Sequence, residues 1–459
     1  MSLLQSLRST TDPLVLGIFR IGFGLVMAAS MLRFLILGWA APLYTEPTFH
    51  FSYPGFDWIK PLPLPYINGL LLLGIMAALA FALGRAAKWW LTVFLVIFTY
   101  LELIDATTYL NHYYFVSVLG CLLLLLPVDA SLVWGKKAQP VKRWTVLFLR
   151  YQVGLVYFFA GIAKLNADWL FDAMPLQIWL PARAGLPVIG PLLDMAWTPW
   201  IMAWGGAAFD LSIAFFLASK RWRLHAYCVA LGFHALTFVL FNIGVFPIVM
   251  MTAALVFFEA EEWRKAYSRI CRAIRYWHAS VATRASTFTA RLRMANAFDP
   301  SAPLPARPDK RLMTIAVVFL VIQSLLPLRH VLYPGNRMWT EEGFRFAWHV
   351  MVAEKTGSVT YNILDPDSGN RWSINPSDEL TPRQESQMSF QPDLIWQYAR
   401  HLENRFRAAG YQDVEVRAEA YVSFNGRSSR LLIDPTVDLT QVQRGPGPAP
   451  WIIRYSQNL

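Results

Sequence analysis

The chain has 459 residues, of which 55% are hydrophobic, 15% aromatic and only 15% charged, with a mean hydropathy of +0.36. That balance excludes an ordinary soluble domain and indicates a polytopic membrane protein. The formal net charge of +11 lies mostly in short basic connections between apolar runs, so it points to a membrane surface and not to nucleic acid.

Mainly apolar runs of about 17 or more residues are read as spans. Nine are predicted: Leu14 to Leu32, Tyr66 to Leu83, Trp90 to Thr107, Tyr114 to Val128, Val146 to Ala163, Trp200 to Leu217, Leu224 to Phe241, Ile243 to Glu259 and Leu312 to Leu328. Tyr114 to Val128 is shorter than that criterion. The first run contains Arg20 and lacks a small-residue cleavage site, so it reads as a retained helix and not as a signal peptide. Alternate connections carry the basic residues: Arg85 with Lys88; Lys136, Lys137, Lys142 and Arg143; Lys220, Arg221 and Arg223; and the stretch from Arg264 through Arg284, Arg291 and Arg293 to Arg311. Gly38 to Pro65, Tyr109 to Tyr113, Leu165 to Thr198 and Asn242, the connections between, hold only Lys60 and Arg183. Short basic loops stay cytoplasmic, which puts the N-terminus inside and the tail after Leu328 outside. The segment Glu261 to Asn296 has Trp263, Tyr267, Ile270, Ile274 and Trp277 at helical spacing and is expected to lie along the inner headgroups.

After a Pro-rich linker at Ser301 to Pro308 and the last span, the composition becomes that of a water-facing domain. Strands are predicted at Ser358 to Ile363, Arg371 to Ile374, about Val414 to Phe424 and Arg430 to Ile433, with a helix at about Asp393 to Ala409. Asn425-Gly426 suits a tight hairpin turn, and Gly445 to Pro450 reads as an irregular strap. The expected fold is therefore mainly α, a membrane helix bundle over residues 1–332 followed by an extracytoplasmic α+β domain over 333–459.

The polar residues at the outer ends of the spans are the candidates for function. Lys164 ends the fifth run in Gly161-Ile162-Ala163-Lys164-Leu165-Asn166-Ala167-Asp168-Trp169. A lysine there either snorkels to the headgroups or lines a polar pocket. Asn111 and His112 lie between the third and fourth runs, His234 within the seventh, and His330 after the ninth. Singly, His112 and His330 also fit interfacial hydrogen-bonding groups. Asp210 is an acid inside an apolar run, which a neighbouring helix or an intramembrane arginine such as Arg20 could neutralise. His112 and His234 lack a third histidine or a carboxylate at ligand spacing, so no metal site is predicted. Cys121, Cys228 and Cys271 lie far apart and give neither a disulfide framework nor a thiolate metal site.

Together these residues carry a resemblance. Phe19-Arg20-Ile21-Gly22-Phe23-Gly24, Asn111-His112, the Lys164 motif from Ala160 to Trp169, Phe209-Asp210-Leu211-Ser212, Phe233-His234 and Phe241-Asn242-Ile243-Gly244 resemble the vitamin K-dependent γ-glutamyl carboxylase family. Pro327-Leu328-Arg329-His330, Trp339-Thr340 through Phe346-Ala347-Trp348-His349-Val350-Met351-Val352, and Ile433 to Asp438 do so in the same order. The broader relative is the bacterial set carrying the horizontally transferred transmembrane domain, which makes a bacterial inner membrane the expected location.

The resemblance implies an enzyme that oxidises reduced vitamin K or menaquinol with O2 and uses that energy to remove a γ-carbon proton from a glutamyl side chain of a peptide or protein, which then takes up CO2. By position, Lys164 matches the base that deprotonates the hydroquinone, and His112 the histidine assisting the carbanion step. Asn111, His234 and His330 match positions around the quinone head, and Trp339, Phe346, Trp348 and Met351 belong to the segment that presents the glutamate. A γ-carbon proton is too weakly acidic for a side-chain base, so a stronger base must be made in place and shielded from water. Lys164 can begin this only while uncharged, which desolvation favours. Ala163 stands where animal members have another lysine, Asn166 replaces an acid, and Gly343 replaces an apolar residue linked to glutamate binding. Two alternatives stay open: a quinol-epoxidising oxygenase without efficient carboxylation, and a non-catalytic membrane module.

Overall fold

Apolar runs that lack internal proline become helices here, and proline follows closely where two of them end, after Leu125 and Leu325. The computed structural model describes residues 3–241, 243–277, 310–445 and 447–455. Its helices follow as α1 (Leu14–Ile36), α2 (Leu64–Leu83), α3 (Ala87–Leu103), α4 (Asn111–Leu125), α5 (Arg143–Ala163), α6 (Thr198–Ala218), α7 (Arg223–Leu240), α8 (Phe246–Ala254), α9 (Ala260–Trp277) and α10 (Lys310–Leu325). Six segments are long and apolar enough to cross a bilayer: α1, α2, α5, α6, α7 and Lys310–Leu332. The other three predicted spans fold as shorter apolar helices. α3 has 17 residues and gives way to a turn capped by Asp105, while α4 has 15 and stops before Pro127. α8, with its 3-10 continuation to Phe257, starts only at Phe246-Pro247, after a left-handed Gly244. Of the nine expected spans, six thus coincide with segments long and apolar enough to cross a bilayer, and three with shorter helices.

Large apolar side chains on these helices, among them Met76, Val96, Phe215 and Ile322, stay exposed along the bundle. In water such a surface would be an association hazard; against lipid it is the normal face of a multi-pass membrane protein. Where two helices touch closely, small residues permit it. A Cβ on Gly24 would lie 2.6 Å from the Ala78 carbonyl oxygen, so α1 and α2 can meet at this depth only with glycine there.

The tail builds a four-stranded antiparallel sheet from β1 (Lys355–Leu364), β2 (Arg371–Ile374), β3 (Glu415–Phe424) and β4 (Arg430–Leu431), in the order β2-β1-β3-β4. Two helices, α11 (Pro382–Met388) and α12 (Pro392–Ala408), accompany it. Along β3, Val416, Ala418, Ala420, Val422 and Phe424 alternate into the core, and Leu394, Ile395, Tyr398 and Leu402 of α12 meet them. The turn Phe424–Arg427 closes through the Arg427 N–H to the Phe424 carbonyl (3.1 Å), with Asn425 and Gly426 both at positive φ, as their pairing predicts.

The sheet sits on the end of the bundle formed by the α1–α2, α3–α4 and α5–α6 connections. Gln384 donates to the Phe49 carbonyl and to Asp105, both at 2.7 Å, and Gln397 accepts from the Ser52 N–H at 2.9 Å. These are the connections expected to share one face. The expected linker at Ser301 to Pro308, the basic residues Arg284, Arg291 and Arg293, the end of the Glu261 to Asn296 segment, Asn242 and residue 446 lie outside the described residues.

At the opposite end Arg20 is fully buried and pairs with no carboxylate among the described residues. It donates to the Ala82 carbonyl (3.2 Å) and to those of Val128, Ser131 and Leu132 (2.8 Å each), tying α1 to the end of α2 and to the loop after α4. Arg20→Met keeps most of the volume and removes every donor, leaving buried carbonyls unpaired. A loss of about 3 kcal/mol or more is expected, read as a lowered thermal midpoint in detergent; an unchanged midpoint would show that these bonds are dispensable.

Candidate active site

Tyr157, Ala160 and Lys164 recur on one face of α5 and look towards α6. One turn before Lys164, Gly161 meets Leu211, where a Cβ would lie 2.9 Å from the backbone nitrogen, so the two helices pack with almost no gap. That approach brings Lys164 Nζ to 2.7 Å from Asp210 Oδ2, with both residues only 6% exposed. The ammonium does not snorkel. The partner of Asp210 is therefore Lys164, not Arg20. Lys164 also donates to the Ala160 carbonyl at 3.3 Å, and Nζ lies 5.2 Å from the centre of the Trp169 ring. Asn166 fixes the turn beyond it: Nδ2 donates to the Ala163 carbonyl at 2.9 Å and Oδ1 accepts the Trp169 N–H at 3.0 Å.

The pair opens onto a narrow, mainly apolar cavity of about 90 Å³ lined by Tyr157, Phe233, His234, Phe246, Val350 and Met351 among others. On its wall the Tyr157 hydroxyl and His234 Nε2 share a 2.8 Å hydrogen bond, while His234 Nδ1 is buried with no partner. A buried ring nitrogen without a partner and an amine beside an apolar slot suit a flat ligand carrying polar groups. A second, larger cavity of about 810 Å³ adjoins it, sharing Phe241, Ile243, Phe246, Val350 and Met351, and is lined by Asn111 and His112. Phe246 stands between the two histidines, its ring centre 5.7 Å from that of His112 and 6.3 Å from that of His234. His112 is buried beside Tyr113 and Phe246 and makes no hydrogen bond among the described residues, so its imidazole is free for a ligand.

The other predicted residues are distributed around these cavities. Of the Trp339 to Met351 segment, Met351 lines both cavities. Trp339 is buried in the core beneath the sheet, donating to the Ile453 carbonyl at 2.7 Å. Phe346 packs on Tyr109 and Tyr114, and Trp348 on Tyr114 and Phe115. Glu341, Phe346, Trp348 and Met351 all have positive φ, a conformation that costs non-glycine residues energy and gathers at functional sites. Gly343, also left-handed, lies against His330, where a Cβ would come within 2.7 Å of Cα, so no side chain fits. Asn111 donates to the His349 carbonyl at 3.0 Å. His330 lines a third cavity, on the far side of the Leu165–Asp168 loop. Its Nδ1 donates to the Pro327 carbonyl (2.7 Å), leaving Nε2 to accept from Arg337 (3.1 Å).

Sequence reasoning did not single out Tyr157, Phe246 or His349. Tyr157 is legible in hindsight, seven residues before Lys164 and thus on its face of the helix. Nothing in the sequence marks Phe246 as a divider. His349 stacks near His330 and Phe344, and burial together with the charge of Arg337 pushes its imidazole down to about 3, which keeps it neutral.

The Lys164 loop is clamped to the sheet. Asp168 receives both nitrogens of the Arg427 fork at 2.9 Å and Asn425 Nδ2 at 2.7 Å, and these bonds hold the Arg427 guanidinium above its ordinary value. The Asn425-Gly426 turn therefore carries the contact that positions the end of α5. Among the described residues no group of three or more His, Cys, Asp or Glu is placed to hold a metal.

Comparison with known families gives two matches. Residues 8–263 match the HTTM domain, and residues 308–458 match the lumenal domain of vitamin K-dependent gamma-carboxylase. No solved structure matches the chain.

The Asp168–Arg427 clamp predicts that Asp168→Asn and Arg427→Ala are not additive. A double-mutant cycle on thermal stability is expected to give a coupling of about 1–2 kcal/mol. Additive effects would mean that the loop and the sheet are held by other contacts.

Proposed function

Taking as premise that the chain belongs to the vitamin K-dependent γ-carboxylase family, we propose that it couples oxidation of a membrane-borne hydroquinone by O2 to carboxylation of glutamyl side chains. When bound, the hydroquinone supplies the driving force: one quinol and one O2 give one epoxide and one water, while a γ-carbon proton is exchanged for CO2. The observation that carries the reading is Lys164, sealed in an apolar cavity against Asp210, with a hydrogen-bond-free His112 across Phe246 in the adjoining cavity.

The roles follow from position. Lys164 takes a proton from the quinol hydroxyl, and Asp210 accepts a proton through the 2.7 Å contact so that the amine offers a lone pair. The Tyr157–His234 pair orients the ring, and His234 Nδ1 is the group free to bond it. The apolar lining keeps out water that would quench a strong base. His112 assists at the glutamyl carbon in the larger cavity, with Asn111 bracing the strained segment that carries Val350 and Met351. The quinone, reduced vitamin K or menaquinol, reaches its cavity from the bilayer. The sheet-bearing end faces away from the cytoplasm, where a peptide acceptor arrives.

Quinol epoxidation without efficient carboxylation is the second reading. Trp339, Phe346 and Trp348 pack into the interior and Gly343 excludes any side chain, so the acceptor surface is this protein's own.

Lys164→Ala is expected to lower quinol oxidation at least ~100-fold, with recovery on addition of a small primary amine; near-normal turnover would remove the role. His112→Ala is expected to leave epoxide formation exceeding CO2 fixation. Epoxide and radiolabelled CO2 measured in one assay of the unaltered protein separate the two readings: equal yields support carboxylation, and epoxide alone supports the oxygenase.

A further inference from the structure

The third cavity, of about 400 Å³, lies between the loop that follows Lys164 and the segment from His330 to Met338. Its lining is polar, with Asn166, His330, Asn336, Arg337 and Asn425 among the residues facing it. Arg337 is half-buried, donates to His330 Nε2 at 3.1 Å, and keeps its Nε buried without a partner. His330 cannot neutralise it, because a ring that donates from Nδ1 and accepts at Nε2 is uncharged.

The nearby acids are all engaged elsewhere. Glu341 pairs with Lys355, Glu342 with Arg454, and Asp168 with Arg427 and Asn425. Arg337 has no carboxylate partner among the described residues, and burial alone pulls its guanidinium below its ordinary value. A half-buried permanent cation with no carboxylate partner among the described residues, and with Nε buried and unpaired, attracts an anionic ligand that supplies the opposite charge. The guanidinium fork matches a carboxylate, and the amides of Asn166, Asn336 and Asn425 offer further donors.

We propose that this cavity binds a carboxylate side chain of the acceptor polypeptide, with Arg337 as its counterion. The assignment of the ligand to an acceptor rests on the function proposed above; the need for an anion does not. The site backs onto the reaction cavity, since Leu165–Asp168 continues from Lys164 and Val352 from Met351. An acidic residue bound here docks an acceptor against the elements that carry both, which favours chains with clustered acidic residues.

The test uses the full chain in nanodiscs and a capped acidic pentapeptide with two glutamates, alongside its glutamine counterpart and acetate. Calorimetry is expected to give at least ~10-fold weaker binding of the acidic peptide to Arg337→Gln, partial recovery in Arg337→Lys, and no change for the glutamine peptide. Equal affinity in Arg337→Gln, or saturation by acetate as readily as by peptide, overturns the proposal. Should Arg337→Gln fail to fold, the unaltered protein decides: a photoreactive acidic peptide is expected to label residues 166–168 or 330–338, and labelling elsewhere or no labelling overturns it. Neither readout needs turnover. CO2 fixation with labelling elsewhere sinks this site and spares the carboxylase reading, and labelling here without CO2 fixation does the reverse.

Discussion

A lysine and an aspartate meeting at 2.7 Å inside an apolar helix pair is the constraint on which the rest of this molecule turns. Removing two charges from water costs several kcal/mol for each ion, and their attraction returns that only when the geometry is tight. Apolar residues of similar volume would pack α5 against α6 at least as well. Stability therefore does not explain the pair, and the function proposed above gives it a use as a site of proton transfer sealed from water. The surrounding features accompany it: glycine at 161 so that the helices touch, Trp169 beside the amine, and a mainly apolar, aromatic wall.

That pair must also be held at a fixed height relative to the strained segment ending at Met351, and two polar clamps do so from opposite ends. Arg20 binds four carbonyls at the end remote from the sheet. Asp168 binds the sheet through Arg427 and Asn425 at the near end. The sheet is thus more than a lid: its tight turn reaches the loop that carries the amine. The left-handed residues between Glu341 and Met351 are tolerated because Trp339 and Trp348 anchor the segment by burial.

Around this frame lie three cavities that differ in chemistry, the first two sharing walls. One is narrow and apolar with a buried ion pair, one is wide with an unbonded histidine, and one is polar with an uncompensated arginine. Phe246 and the Val350–Met351 segment divide the first two, and the Leu165–Asp168 loop lies between the first and the third.

The sequence alone determined the membrane class, most of the long helices, the strands and the tight turn, because these depend on local periodicity, proline and glycine, whereas the lengths of three predicted spans and the helix Pro382–Met388 did not follow from it. Arg371 to Ile374 and the turn at Asn425-Gly426 lie where their residues predict them. It also marked Lys164, His112, His234 and Asp210, since charge and imidazole inside apolar runs stand out against their neighbours. Helix contacts alone decided that Asp210 faces Lys164 while Arg20 serves carbonyls, as sequence spacing within one helix says nothing about which face of another it meets. They likewise placed His330 beside Arg337 in a separate cavity and turned Trp339 into the core. Side-chain partners across elements depend on packing distance and twist, and those exist only once the chain has folded.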